Sequence, residues 1–287
     1  MTGSLAAEAT MTESVVEFGP DGTLIGILTM PSTVRVKFAV LLSNTGMHHR
    51  VGPFRLNVKL ARAFARVGIP TLRFDRSGLG DSAPRTTAGN DHDHALLDTA
   101  DAMNCLATRH GIQQFVLIAL CSGVDVAHDM TLRDTRVIGA AFIDGYAYST
   151  PGFRWRRTLP RLFDITRARR FFRRRAHRAQ NAEFFAISQE TTAQVFVREL
   201  PTLARFRDEV RAMATRGARV LMVYTGAMGL HVNHPDQLYE MIGTDVSRRD
   251  IGVLWLPEAD HLFSATAARV RLQDRIVSWL NELGPEG

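Results

Sequence analysis

Cysteine is nearly absent from this chain of 287 residues: Cys105 and Cys121 are the only two. Two thiols cannot build a disulfide framework, so a domain of this size must be held by a buried core, and both thiols are expected free in a reducing compartment. Lysine is equally scarce, with only Lys37 and Lys59 among 35 basic residues, so the positive charge is almost all arginine. No apolar run approaches the roughly 18 residues of a membrane-spanning helix. Residues 1–17 show neither a basic region nor an apolar one of the kind a secretory signal needs, and a cytoplasmic protein is the expectation. Internal repeats are lacking as well, while the hydrophobic share of 45% is ordinary for a folded domain.

What is present alternates. Six near-continuous apolar runs, over 38–43, 71–74, 115–120, 137–143, 220–224 and 253–256, have strand length and suit strands covered on both faces of a parallel sheet. Helical patterns over 55–67, 94–110, 124–132, 235–242 and 265–283 lie between and after them. Ahead of them, 15–18 and 23–28 flank Gly19-Pro20-Asp21-Gly22, the composition of a β-hairpin. The alternation predicts a doubly wound, mostly parallel α/β sheet.

The run from Phe115 to Leu120 ends abruptly in Cys121-Ser122-Gly123. A nucleophile elbow is a strand-to-helix turn so tight that the residues two before and two after its apex must be small. Ala119 and Gly123 meet that demand around Cys121. Centred on Ser122, the same positions would fall on Leu120 and Val124, whose side chains would collide with the facing strand and helix. Cys121 is therefore the candidate nucleophile ahead of Ser122; its other reading is a small buried hydrophobe, the usual state of a free cysteine. A thiol at neutral pH is mostly protonated unless a base or a positive charge lowers its pKa, so the candidate needs a partner.

Three further motifs complete a pattern that runs nearly end to end. Asn44-Thr45-Gly46-Met47 follows the third strand, Phe74-Asp75-Arg76-Ser77-Gly78-Leu79-Gly80-Asp81-Ser82 follows the fourth, and Pro257-Glu258-Ala259-Asp260-His261-Leu262-Phe263 follows the last. With the elbow, they make the chain resemble α/β-hydrolase-fold proteins. Met47 to Pro53 together with Leu120 to Gly123 is similar, more narrowly, to hydrolase-like proteins encoded with bacterial exopolysaccharide and exosortase systems. The resemblance implies His261 as the base, after the nucleophile in chain order. It implies an oxyanion hole from the backbone amides of Ser122 and Met47, with Gly46 allowing close approach and His48 near the substrate. The acid is where the chain departs from the commonest pattern: Tyr224 to Gly229 contains none. Asp144, at the end of the sixth strand, is the preferred orienting carboxylate, with Asp236 and a simple Cys-His dyad as alternatives; Asp144 could equally be a strand-end turn residue.

The arginines concentrate in 154–178, where eleven of them face the single acid Asp164, a local charge of +10 in a chain of net charge +6. Aromatic and aliphatic residues interleave with them, as in amphipathic helices. The expected organisation is a core of 1–147 and 217–287 carrying a helical cap or lid insertion over 148–216. Arg154 and Arg157 are candidate substrate contacts. The charge reads as a solvated face, as a surface for CoA or an acidic acyl carrier protein, or as contact with an anionic membrane surface. No nucleic-acid-binding motif accompanies it. No cofactor is implied, and neither Asp91-His92-Asp93-His94 nor His231-Val232-Asn233-His234 has metal-site spacing, so no metal is expected.

The sequence thus leads to an acyl hydrolase acting on an ester or thioester through Cys121, His261 and Asp144. The alternatives are an acyltransferase using the same thiol, and a binding protein that keeps the fold without activity.

Overall fold

Strands form where the apolar runs are unbroken, because side chains that alternate along a strand must be covered on both faces of the sheet. The computed structural model describes residues 11–44, 46–163 and 200–284. Its sheet has eight strands: β1 (Met11–Phe18), β2 (Leu24–Pro31), β3 (Phe38–Leu42), β4 (Thr71–Phe74), β5 (Gln114–Leu120), β6 (Val137–Ile143), β7 (Arg219–Thr225) and β8 (Ile251–Leu256). Their spatial order is β1-β2-β4-β3-β5-β6-β7-β8. The β1–β2 hairpin joins the sheet antiparallel to β4, and every other pairing is parallel.

Helices α1 (Leu56–Arg66), α2 (Asp91–His110), α3 (Gly123–Arg133), α4 (Pro151–Phe163), α5 (Leu203–Thr215), α6 (Gln237–Ile242) and α7 (Thr266–Asn281) are described. On β5, Phe115, Leu117 and Ala119 enter the core shared with α2, α3 and α5, while Val116, Ile118 and Leu120 enter the core shared with α1 and α7. The same alternation of Val220, Met222 and Tyr224 against Leu221 and Val223 on β7 makes two cores, one on each face. Local signals set the helix ends. Asn90 accepts from the amides of His92 and Asp93 at 2.9 Å each and opens α2, and Gly111, at φ 70°, closes it.

Helix α5 falls inside the stretch expected as a cap, yet it packs on β7, α3 and α6. Phe206, Val210 and Met213 are fully buried in the sheet's own core, each worth about 1.5–3 kcal/mol of burial. It is a sheet-covering helix. Helix α4 belongs above the strand ends, where Arg156 reaches Glu240 at 2.7 Å and Asn233 at 2.9 Å. The remaining arginines of the tract, from Arg167 onward, lie outside the described residues.

Candidate active site

Every parallel strand points its carboxyl end at the same edge, and three residues with left-handed backbones gather there: Cys121 (φ 57°), Asp144 (φ 49°) and Phe263 (φ 55°). For residues other than glycine such angles cost on the order of 1–3 kcal/mol and persist only where the surroundings enforce them. Cys121 is the single residue between β5 and the cap of α3; its amide donates to the Ile143 carbonyl at 2.9 Å, and its carbonyl accepts from Val124 at 3.1 Å. The small neighbours are needed as expected. A Cβ on Gly123 would stand 2.6 Å from the Asn44 carbonyl oxygen, and Ala119 lies immediately behind, its Cβ 3.6 Å from the same point. Ser122 has ordinary helical angles and caps α3, and its hydroxyl accepts from the Gly46 amide at 3.1 Å. The apex is thus Cys121.

The acid is supplied by the next strand over. Asp144 follows β6, its amide bound to the Val223 carbonyl at 2.9 Å, and its carboxylate is fully buried. Thr225, the last residue of β7, donates to it twice, from its amide at 2.8 Å and from its hydroxyl at 2.6 Å. The remaining partner is His261 Nδ1, at 2.9 Å from Asp144 Oδ2. Gly145 lets this turn close, since a Cβ there would meet Val124 Cγ1 at 2.5 Å. Asp236, the alternative acid, pairs instead with Arg248 at 2.8 Å.

His261 rides on a loop braced from several sides. Asp260 accepts from the amides of Leu262 and Ser264 at 3.0 Å each, the Gly226 amide holds the Ala259 carbonyl at 2.9 Å, and Arg269 holds the Phe263 carbonyl at 2.6 Å. Phe263 is buried beneath. Hydrogen bonds to Asp144 and then to Cys121 outweigh burial and raise the His261 pKa to about 10. The ring is bonded to a buried carboxylate and to the thiol together.

The loop after β3 is held by buried polar groups that the sequence reading had not assigned. Asn44 donates to the His48 carbonyl at 2.8 Å and to Asp75 at 3.0 Å, and accepts from the Arg76 amide at 2.8 Å. Asp75, fully buried, also accepts from the Arg50 amide at 2.6 Å and from the Arg50 guanidinium. His49, Asp75 and Asp81 bring ligand atoms within 4.8 Å of one another. The Arg50 guanidinium bonds to all three, so a cation already occupies their centre. The loop amide seen against the elbow is that of Gly46; Met47, named from sequence as the donor, exposes 83% of its surface, and His48 is exposed as well. Arg154 and Arg157 are exposed on α4, with Arg157 lying over the Phe153 ring at 5.7 Å.

No family model matches the chain and no curated protein matches its sequence. Solved structures do match in fold. An esterase from Pyrococcus furiosus superposes with a TM-score of 0.60 at 12% identity, over 94% of this chain and 91% of that one. A lidless α/β serine hydrolase from Xanthomonas campestris gives 0.54 at 13% identity, over 96% of each chain. A hypothetical protein from Pseudomonas aeruginosa gives 0.57 at 16% identity, over 97% of this chain and 95% of that one. The architecture is the α/β-hydrolase fold. Where one of these neighbours is described as a serine hydrolase, this chain carries Cys121 at the apex of the turn.

Proposed function

We propose that the protein is an acyl hydrolase, an esterase or thioesterase, that works through a Cys121 thiolate. The observation that carries this reading is the chain of contacts at the elbow: a strained cysteine, a histidine bonded to it, and a buried carboxylate behind the histidine. The elevated His261 pKa favours a thiolate–imidazolium pair over a neutral thiol and imidazole.

In the first half-reaction the thiolate attacks the substrate carbonyl carbon, forming the C–S bond while the carbonyl electrons move to oxygen. The resulting oxyanion is met by the backbone amide of Ser122 at the start of α3 and by an amide of the loop after β3, each worth roughly 3 kcal/mol in the transition state. Collapse breaks the bond to the leaving group, which takes its proton from the His261 imidazolium. In the second half, neutral His261 removes a proton from water, hydroxide adds to the acyl-cysteine, and the thiolate leaves. Asp144 holds the ring with one nitrogen toward the thiol and stabilises its charge. The likeness of Met47 to Pro53 to proteins of exopolysaccharide systems adds no substrate to this reading.

The test is intact-protein mass spectrometry after brief exposure to activated esters and acyl-CoA thioesters. A mass increase of one acyl group in the wild type, absent from Cys121→Ala, supports the proposal, and decay of that adduct in water distinguishes hydrolysis from transfer to an added amine or alcohol. Full turnover by Cys121→Ala would overturn it.

A further inference from the structure

The arginines that crowd the fourth strand and its loop are paired, with one exception. Arg73 reaches Glu13 at 3.3 Å, Arg85 reaches Asp98 at 2.6 Å, and Arg50 holds Asp75 and Asp81. Arg76 has no carboxylate within ion-pair range among the described residues. Among the described residues its guanidinium makes one hydrogen bond, from a terminal nitrogen to the Gly46 carbonyl at 3.2 Å, and its buried Nε finds no partner. Burial holds its pKa below the usual guanidinium value, opposed only by the longer-range charges of Asp98 and Asp91. Asp98 is itself committed to Ser77 and Arg85. Removing a guanidinium from water without a counter-charge is costly, so such a group is stable only when the fold enforces it or a ligand completes it.

Its location says which ligand. Arg73 and Ile118 flank Leu42 in register across β4, β3 and β5. Arg76 and Cys121, each three residues further on, leave the same edge of the sheet two strands apart, a separation of roughly 10 Å. Between them lies Gly46, which gives its carbonyl to Arg76 and its amide to Ser122.

We propose that Arg76 is a specificity-determining residue that receives an anionic group, a carboxylate or phosphate, on the substrate whose carbonyl is presented to Cys121. The planar guanidinium fork suits either anion through two parallel hydrogen bonds. The inference rests on the acyl-transfer reading above and narrows it to acyl donors carrying a negative charge a few bonds from the reacting carbonyl. The anion lies on the acyl chain or on the leaving group.

Two substrate series separate these sources and test the claim. In the first, N-acetylcysteamine thioesters of succinate, glutarate and adipate are compared with their methyl-capped neutral isosteres. In the second, one neutral acyl group is compared on mercaptoacetate and on mercaptoacetate methyl ester, leaving groups that differ only in the charge near the sulfur. The expected result is a preference of at least tenfold in kcat/KM for the charged member of one series, reduced at least tenfold in Arg76→Gln and partly kept in Arg76→Lys. A merely structural Arg76 would lower charged and neutral rates together and leave the ratio unchanged, which would overturn the inference. So would a wild type indifferent to charge in both series while still forming the Cys121 adduct. Absence of any Cys121 adduct from every thioester would instead reject the acyl-transfer reading itself.

Discussion

The two edges of the parallel sheet present opposite kinds of surface. At the amino edge, Met30, Val34, Val36, Lys37 and His110 to Gln114 surround an open hollow of about 590 Å³. No residue lining it except Gly111 has a positive φ, and that glycine merely ends a helix. At the carboxyl edge, three strained residues, a buried carboxylate and a histidine meet within hydrogen-bonding distance of one another or of their immediate neighbours. Strain maintained by dense packing and polar groups converging on one thiol are the better guides to chemistry.

Substitutions sharpen this contrast in decreasing order of effect. Cys121→Ala should lower turnover by about 10⁴-fold or more while leaving the fold intact, read as kcat on the best activated ester. Asp144→Asn should cost about 10²-fold in kcat, less than the ~10⁴-fold typical of a serine triad, because a thiolate–imidazolium pair depends less on the orienting acid. A loss as large as that of Cys121→Ala would show that the acid is indispensable here. Gly123→Ala should destabilise by about 1–3 kcal/mol in urea melts, because its new Cβ would press on the Asn44 carbonyl. At the other edge, Val34→Ala, at a half-exposed position lining the hollow, should stay within about 0.5 kcal/mol and leave kcat unchanged. A measurable loss of activity from Val34→Ala would break the comparison.

Much of the carboxyl edge was legible in the sequence because its constraints are local. The turn at Cys121 demands small residues at fixed offsets, and Ala119 and Gly123 are at those offsets. Asp144 was preferred over Asp236 from its place at a strand end, and Asp144 is the carboxylate that meets His261. What escaped notice depends on partners far apart in the chain. Thr225 secures Asp144 from 81 residues away, and Asp75 receives Asn44 and Arg50 from across the strand order. Helix α5 reads as part of the cap from its position between the sixth strand and the return to the sheet at Val220. Yet the four- and three-residue spacing of Phe206, Val210 and Met213 is the stripe of a sheet-covering helix.

The acyl-transfer proposal depends on His261, its pKa raised to about 10 by Asp144 and Cys121, activating the Cys121 thiol. The most direct measurement is the rate of iodoacetamide alkylation at Cys121 from about pH 5 to pH 10, in the wild type and in His261→Ala. Cys105, buried and with its thiol pushed up by that burial, serves as the internal control. A wild-type rate already near its plateau around neutral pH, shifting in His261→Ala to an ordinary thiol profile with a midpoint above about 8, is the predicted result. Superimposable profiles for the two proteins would contradict the account.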